Sequence, residues 1–321
     1  MKPQSGPKRI AVLPTGKTEW HGMAQALSQL FSPHTFYCVP TAPEVASYGA
    51  QFPYGGFTSN RLKQADLASP PESAQELVKR AAQEVLGDRK ANQLPADLVV
   101  VLDDGELANA AQLPLVTDVF RAAAVQHLSG LQGCRARTEA AFREKVSFHL
   151  VVPMVEAWFF ADPAALCRAG VMAGQPVSFA STQDPEQFVT QDAAYLAASM
   201  HDCPSLAQAE RGRQKKLRPK WLGSLPRQHH PKGYLQWLCL AGQQCSCTTY
   251  DETNHGAAAL RGLDWTTLLQ RPSPQLGFLT SLLSDIADGV GQPLPSLLLG
   301  RYEAPETSRA TPRATPVLRN L

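Results

Sequence analysis

Two acidic segments stand where hydrophobic strands end. Val101-Leu102-Asp103-Asp104-Gly105-Glu106 follows the run Leu98 to Leu102, and Val155-Glu156-Ala157-Trp158-Phe159-Phe160-Ala161-Asp162 follows Val146 to Pro153. Adjacent carboxylates at a strand end repel each other, and a hard cation removes that penalty. Mg²⁺ takes oxygen ligands, usually one or two carboxylates together with substrate phosphates. Asp103, Asp104, Glu106 and Glu156 are therefore candidate ligands for Mg²⁺ or Mn²⁺, and the chemistry they suggest is phosphoryl transfer. On a strand Asp103 and Asp104 point to opposite faces, so a turn at Gly105 is needed to return Glu106 to the same cation. The competing reading of Asp103-Asp104-Gly105 is a solvated turn. Glu156 lies inside an apolar segment, where an unpaired carboxylate is costly, so it must meet a cation, a basic side chain or backbone amides. Asp162, followed by Pro163, reads as a helix N-cap.

Basic residues supply the complementary signal. Gly16-Lys17-Thr18 occupies a strand-to-helix turn, but a P-loop needs glycine five residues before Gly16, where the chain has Ala11. Lys17 and Thr18 can still hold a phosphate beside the amides of a helix N-terminus; the competing reading is an ordinary turn with an exposed lysine. The densest basic run, Arg211 to Lys220, offers Lys215, Lys216 and Arg218 as phosphate contacts, with Trp221 for base stacking and Lys232 continuing the trend. A solvated loop is the alternative there. Cys239, Cys245 and Cys247 could be combined with His229, His230 and His255 into a zinc site, but no Cys-x-x-Cys spacing supports it, and Cys239 reads as a core residue.

The elements that must position these residues alternate. Strands are expected at Arg9–Pro14, Thr35–Pro40, Leu98–Asp103 and Val146–Val152, with helices starting at Glu19, following Ser69-Pro70-Pro71, and over Leu115–Leu128. The segment from Tyr48 to Asn60 reads as an ordered loop. Alternation of this kind implies an α/β domain with a largely parallel sheet over residues 8–165. A helical subdomain is expected over 166–300, including a helix after Ser273-Pro274, and a disordered or loosely docked tail over 301–321.

The bulk numbers fit a globular chain with a sizeable core: 321 residues, 44% hydrophobic and 18% charged. A net charge of +2 gives no global argument for nucleic acid, leaving only local patches to make it. No apolar run reaches the roughly 20 residues of a membrane span, and the polar N-terminal segment carries no signal-peptide pattern. Scattered cysteines, seven in all, point to reduced thiols and a cytoplasmic setting.

Together, Asp103 to Asn109, Val152 to Asp162 and Thr15-Gly16-Lys17-Thr18-Glu19 resemble the 4276 family of domains of unknown function, which is similar to Toprim-like nuclease and topoisomerase domains. His230-Pro231-Lys232-Gly233-Tyr234-Leu235-Gln236-Trp237-Leu238 and Tyr250 to Leu260 also fit, so the resemblance extends to about Leu269. It implies a Toprim/Rossmann-like fold and an acidic centre around Mg²⁺ that cleaves phosphodiesters in nucleic acid. In that pattern an acid of the first strand–helix turn acts in proton transfer. Here that position is Thr15, and Glu19, four residues on, is the substitute candidate beside Asp103 and Glu156. The resemblance further implies a partner ATPase and a place in anti-phage defence loci. The alternative it leaves is a catalytically inactive binding subunit that acts with such an ATPase.

Overall fold

The four hydrophobic runs form four parallel strands: β1 (Arg9–Pro14), β2 (Thr35–Cys38), β3 (Leu98–Asp104) and β4 (Val146–Val151). Their spatial order is β2-β1-β3-β4. The structure is a computed structural model that describes residues 6–50, 52–88, 93–180, 182–197, 227–241, 250–269, 277–293 and 316–321. Its helices, in chain order, are α1 (Lys17–Leu30), α2 (Ala42–Tyr48), α3 (Glu72–Leu86), α4 (Leu113–Gly130), α5 (Arg135–Lys145), α6 (Glu156–Phe159), α7 (Pro163–Arg168), α8 (Ala193–Ala197), α9 (Pro231–Ala241), α10 (Ala257–Arg261), α11 (Trp265–Leu269) and α12 (Gly277–Val290). The expected α/β architecture is thus present. Of these helices, α2 and α5 carry no clear apolar periodicity and were not expected; α5 buries only Thr138 and Phe142.

Both faces of the sheet are covered, which explains why its strands read as unbroken hydrophobic runs. Ile10 and Val12 of β1 and Leu98, Val100 and Leu102 of β3 point into one core. Their neighbours Ala11, Leu13, Val99 and Val101 point into the other. The second core is closed by the apolar stripes of α3, α4 and α5, through Leu77, Val78, Ala81, Val116, Val119, Phe120 and Phe142. The first is closed by α1 together with α6, α7 and α9–α12.

Residues 166–300, expected as a helical extension or small second domain, share a core with the sheet where they are described. Among the described residues, Tyr234, Leu260, Trp265, Leu283 and Ile286 belong to the same core as β1, β3 and α1. Trp265 Nε1 donates to the Ala26 carbonyl of α1 at 3.1 Å, and α12 packs against β3 and β4. The later helices are one layer of a three-layer fold, because α1 alone is too narrow to cover its face of the sheet. The start of α12 has a further partner. Ser273-Pro274 lies outside the described residues, and the Glu186 carboxylate accepts from Phe278 N and Leu279 N at 3.0 and 2.7 Å.

The end of the tail is ordered on the sheet edge. Arg319 N donates to Val146 O at 2.8 Å, and the Asn320 amide bonds both the N–H and the C=O of Phe148, at 3.0 and 2.7 Å. Leu318 and Leu321 are buried in the second core. Residues 316–321 thus occupy the exposed edge of β4 and satisfy backbone groups that would otherwise be open to other chains. The rest of the expected tail lies outside the described residues. No described helix is long and apolar enough to cross a membrane.

Asn320→Ala leaves the Phe148 backbone pair without partners in a half-buried setting. The expected loss is about 1–3 kcal/mol of stability, read as a lower urea midpoint with an unchanged slope. A midpoint equal to wild type would show that the edge does not depend on this side chain.

Candidate acidic site at the carboxyl edge of the sheet

In a sheet of order β2-β1-β3-β4, the chain leaves β1 towards one edge and returns to the other side at β3. The crevice between the carboxyl ends of β1 and β3 is the topological switch point, where open α/β sheets bind ligands. Thr15 ends β1 and Asp103–Asp104 end β3, and the two ends are tied across this crevice. Thr15 Oγ1 donates to Asp103 Oδ1 at 2.5 Å, and Thr15 N donates to Leu102 O at 3.2 Å.

Asp103 and Asp104 divide between the two faces, as strand geometry requires. Asp103, only 2% exposed, faces the loop before α3. A Cβ on Gly56 would stand 2.8 Å from Asp103 Oδ1, so the loop backbone can lie over this carboxylate only because residue 56 has no side chain. Asp103 Oδ1 also takes the Asp104 amide at 3.0 Å, and Thr58 adds to the pull on the carboxylate. Burial pushes the Asp103 carboxyl up to about 6, against the pull of the Thr15 hydroxyl.

Asp104 turns the other way, towards Glu19 and Glu156. Burial and then the charges of Glu19, Glu106 and Glu156 hold its carboxyl well above the ordinary range, and its Oδ1 is buried without a partner. Glu19 lies in the first turn of α1, 4% exposed, and its carboxylate folds back over Gly16, where a Cβ would overlap it. Burial, followed by the Glu156 charge, pushes Glu19 up to about 8. Glu156 opens α6; burial raises its carboxyl, opposed by Lys232. The substitute acid of the first turn therefore does meet Glu156, and its partner from β3 is Asp104 more than Asp103.

Gly105 makes the turn that the sequence required. Its N–H donates to Val151 O at 2.7 Å, and Glu106 N to Pro153 O at 3.2 Å, so the turn is pinned to the end of β4. Glu106 has φ of 38°, the left-handed region that non-glycine residues rarely adopt. Such strain costs of order 1–3 kcal/mol and collects at functional sites. Burial and then Asp103 push Glu106 up to about 7.

Around the acids stand two groups from distant sequence. Tyr250 Oη donates to Glu156 Oε1 at 2.9 Å and lies 3.3 Å from Thr18 Oγ1. Lys232 Nζ, at the start of α9, pairs with Glu252 Oε1 at 2.6 Å. Burial works to lower the lysine, but Glu156, Glu252 and Asp104 outweigh it and hold the ammonium firmly charged. Tyr250 and Glu252 belong to a segment that fits the resemblance, but neither was singled out as a site residue. The need to satisfy Glu156 inside an apolar segment was the physical hint that a partner must exist.

The remaining expectations divide. Lys17 is exposed at the first residue of α1 and free to meet an anion. Thr18 corrects the phosphate reading: it is 1% exposed, its hydroxyl committed to Tyr250 and the Glu252 carbonyl, so it links elements. Lys215, Lys216 and Arg218 lie outside the described residues, as do Cys245 and Cys247. Cys239 is buried in the first core, and His230 Nδ1 accepts from Gly233 N at 2.7 Å. Asp162 is the expected N-cap, accepting from Ala164 N at 2.8 Å, and it also takes Asp264 N and Arg168. Among the described residues no three carboxylate, imidazole or thiol groups stand close enough to form a ready-made metal cage. Searches against family models, curated proteins and solved structures found no match to this chain.

Two outcomes follow from the electrostatics. Unfolded carboxyls titrate near 4, whereas Asp103, Glu106 and Glu19 titrate near about 6, 7 and 8 in the folded chain. Between those limits the folded protein holds protons that the unfolded chain has lost. Their stabilising contribution is complete below the unfolded values and is lost as pH rises through the folded ones. Melting temperature in EDTA should therefore fall between pH 5 and 8.5 in buffers of equal ionic strength, and Glu19→Gln should flatten the slope; a flat wild-type profile contradicts the cluster. Glu106→Gly should raise the urea midpoint, because it relieves both the φ of 38° and one buried charge.

Proposed function

We propose that this crevice binds Mg²⁺ or Mn²⁺ and that the protein is a Toprim-like phosphodiesterase acting on nucleic acid. The observation that carries the reading is the convergence of carboxyls from three chain segments at the switch point. Glu19 after β1, Asp104 at the end of β3 and Glu156 after β4 each raise another's affinity for positive charge. The donor set that Glu19, Asp104 and Glu156 make fits a hard cation: it is all oxygen, and Asp104 Oδ1 is buried with no hydrogen-bond partner. A complete protein cage is not required, since Mg²⁺ usually enters through one or two carboxylates and keeps waters and substrate phosphates as its other ligands.

A bound cation supplies charge neutralisation and Lewis acidity at a scissile phosphate. The chain's own residues divide the remaining work. Asp103 and Asp104 present oxygens from a rigid strand end. Tyr250 fixes the orientation of Glu156, and Lys232 offers a permanent positive charge to a phosphate oxygen. Glu19, whose carboxyl burial and then the Glu156 charge push up in the metal-free site, can take part in proton transfer to a leaving oxygen and exchange that proton with water. Lys17, exposed beside it, can contact the flanking phosphate.

One observation favours the alternative, a non-catalytic binding subunit working with a partner ATPase. The residue that meets Asp103 from the first turn is Thr15 rather than an acid, and Lys232 already places a cation among the carboxylates.

Cleavage of single- and double-stranded DNA and RNA, followed with and without Mg²⁺ or Mn²⁺, separates the two. The phosphodiesterase reading expects metal-dependent products that fall at least 100-fold in Asp104→Asn and Glu156→Gln, consistent with loss of a group acting in the transition state. Products formed equally well by those variants would end it. No turnover with any substrate at any metal concentration would establish the binding subunit.

A further inference from the structure

Beside the acidic crevice, three rings form a ledge that the acids do not use. Trp20 and Phe52 lie with centroids 4.2 Å apart and planes inclined by 33°, and His21 meets Trp20 edge-on at 4.5 Å. Phe52 is 37% exposed, while Trp20 and His21 are half-buried. The ledge is held firmly: Trp20 Nε1 donates to Pro40 O at 2.9 Å, fixing the indole against the chain that leaves β2.

Its position is set by covalent proximity to the site on both sides. Trp20 follows Glu19 directly, and Phe52 lies four residues before Gly56, whose backbone covers Asp103 Oδ1. Lys17, three and four residues before Trp20 and His21, shares their side of α1 and is exposed. The ledge and its lysine thus stand on the same two segments that carry Glu19 and cover Asp103.

The other exposed large hydrophobics among the described residues are Leu94, Val125 and Met172, all on other elements. Phe52 is therefore not part of a broad apolar patch of the roughly 800 Å² per partner that a protein interface needs. What a small aromatic ledge with an adjacent lysine matches is a planar ring carrying a phosphate.

We propose that Trp20, His21 and Phe52 stack an unpaired nucleobase of a single-stranded nucleic acid, with Lys17 on the neighbouring phosphate, so that the strand is delivered to the acidic crevice. Every base has a π face, so this contact selects unpaired over paired strands without selecting sequence. The inference rests on the nucleic-acid reading of the acidic site but not on turnover there.

The test is binding of a fluorescent 12-nucleotide oligothymidylate by the full chain in EDTA, where metal-dependent cleavage cannot intervene. An abasic strand of equal length and thymidine monophosphate serve as comparisons. The expected result is tighter binding of the base-bearing strand than of either comparison. Phe52→Ala and Phe52→Leu should weaken it roughly 5- to 150-fold, Phe52→Tyr should restore it, and all three should melt like wild type. Equal binding of the abasic strand, unchanged binding in Phe52→Leu, or no binding of any strand overturns the proposal. Thymidine monophosphate binding as tightly as the oligomer also overturns it, because the ligand is then a free nucleotide. Failure of cleavage with retained, Phe52-dependent binding would remove the phosphodiesterase reading and leave the ledge standing.

Discussion

Mutual repulsion of buried carboxylates is the constraint around which the carboxyl edge of this sheet is arranged. Glu19, Asp103, Asp104, Glu106 and Glu156 are drawn together in a space poor in water, where each disfavours ionisation of another. The surrounding structure answers that repulsion in several ways. Thr15 and the Asp104 amide hold one oxygen of Asp103, Tyr250 holds one of Glu156, and Lys232 brings a fixed positive charge. The oxygen left over on the side of Glu19 and Glu156 is Asp104 Oδ1, buried with no hydrogen-bond partner.

Holding those carboxylates against one another takes a stiff frame. A parallel sheet buried on both faces supplies it, since neither β1 nor β3 can shift without disturbing two cores at once. The layer formed by α1 and the later helices does more than cover apolar surface. It carries Tyr250, Glu252 and Lys232 from beyond residue 230 to the switch point, where Thr18 and Gly256 let the segments approach closely. A chain in which these helices formed a separate unit would leave Glu156 without its partner. Strain at Glu106 fits the same logic: the turn at Gly105 is fixed by bonds to the end of β4, and the residue after it accepts an unfavourable φ to place its carboxylate.

Much of the fold was legible from local pattern. The strands appear within two residues of their expected bounds because a doubly covered strand needs an unbroken apolar run, and such runs are visible in Leu98–Leu102 and Val146–Val151. The Asp162 cap was legible because Asp-Pro is a local signature. Helix α5 was not, since it is amphipathic only weakly, and α2 carries no apolar stripe and is fixed at its start by the Thr41–Glu44 capping box. The cap of α12 was invisible for another reason: Glu186 is about ninety residues away from the amides it accepts. The docked end of the tail likewise depends on a side chain, Asn320, imitating a strand, which no periodicity records.

By itself the sequence determined that this is an α/β chain with acids at the ends of its third and fourth strands, because strand length, alternation and strand-end chemistry are local properties. It also determined that Asp103 and Asp104 must face apart, since the pleat leaves no other choice. Tertiary structure decided which of them joins Glu19 and Glu156, that Thr15 serves Asp103 as a hydrogen-bond donor, and that Thr18 is committed to Tyr250 rather than to a phosphate. Those outcomes depend on the packing of segments as much as 232 residues apart, and on how far each carboxylate is removed from water. Neither quantity is carried by any stretch of the chain alone.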